Sequence, residues 1–302
     1  MHTTVIALGY QNNWWQILTS AFMRNALLGG TLVALAAGLI GYFIVVRNSA
    51  FAAHALAHIG FPGATGAVLL GLPVGLGLGA FCIGGALVIG ALGKRADERE
   101  VATGTVLAFA TGLGLFFSSQ ATRSSSTVTN VLFGNLLAVT KPLLVGFTVA
   151  VVVIAVVIAF AYRPLLFASV NPAVAEAKGV PVRLLSVIFM VLLGLAVTMA
   201  VQAVGTLLLF ALVVTPAATA IMLTARPGAA MAVSTALSVA AVWVGLAVSA
   251  MFNLPPSFVI VSIVSVVWLA VWLGAQRPAG GDRRPPVVGH GTVGPESAAR
   301  IG

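Results

Sequence analysis

Residues 143–162 read Leu143-Leu-Val-Gly-Phe-Thr-Val-Ala-Val-Val-Val-Ile-Ala-Val-Val-Ile-Ala-Phe-Ala-Tyr162, twenty residues without a charge. A helix of that length rises about 30 Å, the thickness of a bilayer's hydrocarbon core. Arg163 and Pro164 close the run on one side, and Lys141 and Pro142 open it on the other. The stretch therefore reads as one membrane-crossing helix with polar ends.

Similar runs recur along nearly the whole chain. They fall near residues 20–46, 51–71, 73–93, 101–119, 143–162, 183–204, 206–224, 229–251 and 257–274. The stretch 183–224 is either one broken element or two helices, with Gln202 and Gly205 marking the break. Asn253-Leu254-Pro255-Pro256-Ser257 is a turn signal between the last two runs. These features predict an all-α polytopic membrane protein with eight to nine transmembrane helices.

Composition supports this. Of 302 residues, 60% are hydrophobic and 7% charged, against about 25% charged in a soluble domain. One soluble core cannot hide that much apolar side chain, so most helix surface must face lipid. A lone signal peptide is excluded, because the apolar runs do not stop after the first. The formal charge of +9 does not point to nucleic acid, since the cations lie in short clusters between apolar runs. The single cysteine, Cys82, lies inside an apolar run. It excludes a disulfide framework within the chain and reads as a small packed hydrophobe.

Charge placement predicts orientation. With Lys94, Arg95 and Arg99 in the cytoplasm, alternation also places Arg47, Arg163, Lys178, Arg183, Arg226 and the four tail arginines inside. Only Arg24, Arg123 and Lys141 then lie outside, in accord with the positive-inside rule. Residues 1–19 become an external segment and 20–274 the transmembrane domain. Residues 275–302, rich in Pro, Gly and Arg, become a disordered cytoplasmic tail. Residues 120–142 read as an external loop carrying a short helix at the surface. Gly71, Gly75 and Gly79 read as packing glycines.

Ionisable groups inside a membrane are costly, so they mark candidate sites. All six acids fall between spans or in the tail. The remaining candidates are His54 and His58, in Phe51-Ala-Ala-His54-Ala-Leu-Ala-His58-Ile-Gly-Phe-Pro62-Gly63. A spacing of four puts both imidazoles on one helix face, where they can share a divalent ion or hydrogen-bond across helices. Pro62 and Gly63 are expected to break or kink the helix a turn later and free carbonyls beside the pair. Gln202 and Thr215 are candidate path residues, as are Gln120, Asn130 and Asn135.

The stretch Asn171-Pro172-Ala-Val-Ala-Glu176-Ala-Lys178-Gly179-Val-Pro181 has a helix-start signal and a helix-stop signal. It predicts a short cytoplasmic helix, either a handle for a partner protein or a solvated connector. No catalytic signature is present. The glycine-rich run ending Gly93-Lys94-Arg95 has Val88 and Arg95 where a phosphate loop needs Gly and Ser or Thr. The chain therefore reads as a non-catalytic subunit.

Together these pieces resemble the permease subunits of zinc and manganese ATP-binding-cassette importers over about residues 20–274. The matching segments are Phe22-Met-Arg-Asn-Ala-Leu27, the histidine helix with Pro62-Gly63, and Val131-Leu-Phe-Gly134-Asn135-Leu-Leu-Ala. Asn171–Pro181 and Gln202-Ala-Val-Gly205-Thr-Leu-Leu-Leu, followed by Thr215-Pro-Ala-Ala-Thr-Ala220, complete the set. The resemblance implies that the histidine helix is a metal gate. It implies that Asn171, Pro172, Glu176, Lys178 and Gly179 belong to a coupling helix docked on a cytoplasmic ATPase dimer. It further implies a homo- or heterodimer of permease chains in the cell membrane, served by an extracytoplasmic metal-binding protein. The metal, zinc or manganese, would be cargo rather than a permanent cofactor.

Many members carry Gly-Asp-Ala-x-x-His at the gate. Here the positions are Ala53, His54, Ala55 and His58, so an imidazole replaces the carboxylate. That ligand set favours zinc over manganese. An ATP-independent metal transporter, a non-metal cargo and a cargo-free scaffold are the rival expectations.

Overall fold

The computed structural model describes residues 14–275 apart from 93–95, 121–128 and 130. The predicted tail, Asn130 and most of the predicted external N-terminal segment lie outside the described residues.

Every regular element among the described residues is helical: α1 (Trp14–Thr19), α2 (Ala21–Val46), α3 (Ala50–Leu69), α4 (Val74–Leu92), α5 (Ala96–Gln120), α6 (Lys141–Val170), α7 (Pro172–Ala177), α8 (Val182–Val204), α9 (Thr206–Val213), α10 (Thr215–Leu223), α11 (Pro227–Phe252) and α12 (Pro256–Ala275). A single 3₁₀ turn, Leu136–Ala138, precedes α6. Among the described residues seven helices are long and apolar enough to cross a bilayer: α2, α4, α5, α6, α8, α11 and α12. The exception among the long ones is α3, whose two histidines and proline dilute its apolarity. Neighbours enclose it instead: twelve of its twenty residues are buried, against α2, α4, α5, α8 and α9.

The core is built on α2 and α8, each two-thirds buried over its apolar window, while α5 and α12 stay largely exposed. That is the inverse of a soluble fold, because the exposed faces carry Phe109, Phe116, Phe160, Trp243 and Val266. Such surfaces are stable only against lipid. Close helix approach relies on small residues. At the α3–α4 crossing Gly63 faces the Gly77 carbonyl oxygen and Gly77 faces the Gly63 carbonyl oxygen, with no side chain between them. On α4, Gly75 faces the Gln202 side chain and Gly79 faces Thr198, both in α8. Gly71, by contrast, is a turn residue at φ +67° with open space around it.

Three expectations are corrected. The α3 helix is not broken at Pro62 and Gly63 but runs through both. Pro62 has no N–H for the His58 carbonyl, so the loss is confined to one rung of the ladder. The Thr65 hydroxyl lies within hydrogen-bond reach of the carbonyl oxygens of Phe61, Pro62 and Gly114, at 3.1, 3.3 and 3.5 Å. Second, the run 206–224 is two short helices interrupted at Val214, where Pro216 removes the donor for the Leu212 carbonyl. The break at Gly205 stands as expected, at φ +83° and ψ 169°. Third, the segment after residue 130 lies only partly on the surface: Phe133 and Asn135 are exposed, but other residues reach the core. Leu136 and Val139 are buried beside Gly30 and Gly29 of α2, and Gly134 packs on Gly205.

The two ends of the bundle are distinct. The ends of α2, α4, α6, α7 and α8 line one cavity of about 610 Å³, which includes Arg47, Glu176 and Arg183. At another place the Ser257 hydroxyl donates to the Phe133 carbonyl at 3.3 Å, next to the Gly134–Gly205 contact.

Candidate metal gate and its coupled end

The histidines are positioned by the turn that starts their helix. After Val46 the chain reverses with Arg47 N–H donating to Phe43, Asn48 to Val45 and Ser49 to Ile44, at 2.9, 3.2 and 2.8 Å. Asn48 takes the left-handed conformation at φ 51°, which asparagine tolerates better than most residues. The first rung of α3 follows at once, Ala53 N–H to the Ser49 carbonyl at 3.0 Å.

One and two turns further on stand His54 and His58, both half-buried. Their ring centroids are 4.8 Å apart and the rings cross at 72°. The Phe210 ring of α9 lies 6.5 Å from that of His54. Around the pair, Ala53, Ala55, Leu56 and Ala57 are fully buried. The pair is thus a small polar spot on an enclosed helix, and neutral imidazole nitrogens there can hold one divalent ion.

Among the described residues no third His, Cys, Asp or Glu joins them. Cys82 is buried behind the helix and its thiol donates to the Leu56 carbonyl at 3.3 Å. A resident metal site commonly has three or four protein ligands. Two imidazoles suit an ion in passage, with other ligands completing its shell.

The other sequence-identified residues sit elsewhere. The Gln202 side chain, in the last turn of α8, donates to the Thr198 carbonyl at 3.0 Å. Thr215 opens α10, and its carbonyl accepts from the Thr219 hydroxyl at 2.8 Å. That helix packs on α2, α9, α11 and α12, so the structure does not bring Thr215 to the histidines. Gln120 ends α5 exposed, and Asn135 caps the 3₁₀ turn without a side-chain bond.

The short helix α7 forms as its sequence predicts. Asn171 accepts from Val174 N–H through Oδ1 at 3.1 Å, and Pro172 occupies the first turn. Gly179 leaves the helix at φ +81°, its N–H on the Glu176 carbonyl at 2.9 Å. Only Ala175 is buried in α7, so Val174, Glu176 and Lys178 face outward. The Lys178 ammonium lies 5.8 Å from the Phe167 ring centroid.

Sequence reasoning noticed Arg47 only for its charge. In the structure its guanidinium donates to the Ser169 hydroxyl at 3.2 Å and the Ser186 hydroxyl at 2.8 Å. Those partners lie 122 and 139 residues away, so no local pattern could have announced them.

The chain is 30% identical over 263 residues to the manganese transport system membrane protein MntC of Listeria monocytogenes, covering 86% of this chain and 93% of that protein. It is 32% identical over 209 residues to the manganese import system permease protein ScaB of Streptococcus pneumoniae, covering 66% and 71%. Its fold matches a chain of PsaBC from Streptococcus pneumoniae, solved in complex with Fab, at a TM-score of 0.77 and 28% identity over 86% of this chain and 94% of that one. The histidine helix, the break at Gly205 and the capped α7 all fall inside the matched region: over residues 19–275 this multi-pass membrane protein belongs to the ABC 3 transport family.

Proposed function

We propose that this chain is the permease of an ATP-driven importer for a divalent transition metal, with His54 and His58 as the gate through which the ion passes. The observation that carries the reading is the facing imidazole pair on an enclosed, apolar helix. Such a pair in a bilayer has a cost and implies a use. Two permease chains, in a homo- or heterodimer, form the pore, an external binding protein delivers the ion, and a cytoplasmic ATPase dimer docks on α7. The end of the bundle bearing Arg47, Lys178 and Arg183 faces the cytoplasm. Alternating access follows when the ATPase moves α7 and the gate helix exchanges its neighbours.

Zinc is the cargo that the ligands favour, since imidazole binds zinc more tightly than manganese in the usual affinity order. Manganese is the second reading, because relatives are named for it. An ATP-independent transporter would need an intramembrane acid as a proton relay, and Asp97, Glu98 and Glu100 all precede the apolar window of α5.

The test is uptake of radioactive zinc into vesicles holding the chain, its ATPase and its binding protein, with manganese as competitor. ATP-dependent uptake that is lost in His58→Ala, while the complex still assembles, is the expected result. Wild-type rates in that variant would overturn the gate assignment. Uptake independent of ATP would overturn the importer class.

A further inference from the structure

We infer that Arg47 is a positioning residue that transmits movement of the α7 end of the bundle to the histidine helix. The inference rests on the import reading above. Arg47 follows Val46, the last residue of α2. Its guanidinium bonds Ser169, one residue before α6 ends, and Ser186, at the start of the second turn of α8. The same guanidinium lies 4.9 Å from the centroid of the Phe189 ring of α8. Three helix ends are thus tied by one side chain. Two of them, those of α6 and α8, are joined in sequence by α7 itself.

The other side of Arg47 leads to the gate. The hydrogen-bonded turn at Asn48 and Ser49 joins α2 to α3 without slack, and His54 follows one helical turn into α3. A displacement of α7 moves the ends that carry Ser169 and Ser186. Arg47 takes up that movement through its two hydrogen bonds, and the turn passes it to His54. The planar guanidinium suits this task because its separate N–H groups reach hydroxyls on two different helices, whereas lysine presents a point charge. The Ser169 hydroxyl gives its own proton to the Leu165 carbonyl at 2.6 Å, which leaves its lone pairs for Arg47. Arg47, Ser169 and Ser186 also line the cavity of about 610 Å³ beside Glu176, so the tie borders open space instead of a packed core.

The experiment measures zinc uptake and ATP hydrolysis together in proteoliposomes holding the full complex. Wild type is compared with Arg47→Gln, Arg47→Lys and the double variant Ser169→Ala/Ser186→Ala. Hydrolysis should persist while uptake per ATP falls by about fivefold or more, the lower range of couplings between distant sites. The serine pair should reproduce the Arg47→Gln loss, and combining all three changes should add little to it. Lysine should not restore the ratio. A purely structural role would lower uptake and hydrolysis in proportion to assembled complex and leave their ratio intact, which would overturn the inference. The double serine variant keeps that comparison available even where Arg47→Gln does not assemble. Wild-type complex that moves no zinc with ATP would overturn the import reading as well, so the two failures are distinguishable.

Discussion

Gly205 offers the sharpest test of how the broken stretch after α8 is held. At φ 83° and ψ 169° it occupies a backbone region that only glycine enters readily, so a side chain there costs about 1–3 kcal/mol in strain. An added Cβ would also strike backbone atoms, the Leu132 carbonyl oxygen and the Gly134 nitrogen. Backbone cannot rotate aside as a side chain can, and displacing it adds about 1–3 kcal/mol. Gly71 is the control: its φ is +67° but nothing lies within 4 Å of an added Cβ, so alanine there costs about 1–2 kcal/mol. At about 2–4 °C per kcal/mol, Gly205→Ala should lower the detergent melting midpoint by roughly 4–24 °C, and Gly71→Ala by roughly 2–8 °C. Both variants and wild type would be heated in detergent and the surviving monodisperse fraction measured by fluorescence-detected size exclusion. A Gly205→Ala midpoint no lower than that of Gly71→Ala would show that the contact with Leu132–Gly134 is not what fixes the break.

The remaining predictions concern the histidine pair, the α7 end of the bundle and the core. His54→Asp, which installs a carboxylate beside His58, should raise the ratio of manganese to zinc uptake in mixed-metal transport; an unchanged ratio would remove position 54 from selectivity. Asn171→Ala deletes the cap on Val174 N–H and should destabilise α7 by about 1 kcal/mol, read as faster proteolysis between residues 171 and 181 and weaker retention of the ATPase. Equal proteolysis in both proteins would place the helix under other control. Cys82 is fully buried, with its thiol on the Leu56 carbonyl, so a maleimide should label the folded protein only after denaturation. Rapid labelling in the native state would mean that the α3–α4 seam opens.

Much of the architecture was readable because lipid imposes simple demands. A span must be about 20 residues long and apolar, and most runs found on that basis coincide with helices. The caps of α7 were equally legible, since Asn171, Pro172 and Gly179 act through neighbours within four residues. Pro62 misled for a physical reason. A proline ends a helix in water because the freed carbonyl and the distorted turn need somewhere to go, but α3 is enclosed, and Thr65 and neighbouring helices hold its path. The segment from Val131 to Val139 looked polar enough for a surface loop, yet its apolar residues Leu136 and Val139 fit against glycines of α2 more than 100 residues upstream. The spacing of His54 and His58 was plain in one dimension. The tie from Arg47 to Ser169 and Ser186 exists only in three.

The contact between Gly63 and Gly77 has a mechanical meaning. Carbonyl groups, not side chains, set the spacing between α3 and α4 there. A side chain added at position 63 or 77 would strike the opposing carbonyl oxygen, which cannot rotate aside. So close a backbone contact should make α3 and α4 move as one unit. Probes placed on α3 and α4 near this crossing should keep a constant separation through a transport cycle, while both change their distance to α9. The half-buried positions 54 and 58 thus leave room for substitution, whereas one turn beyond Ile59 any side chain would push the two helices apart.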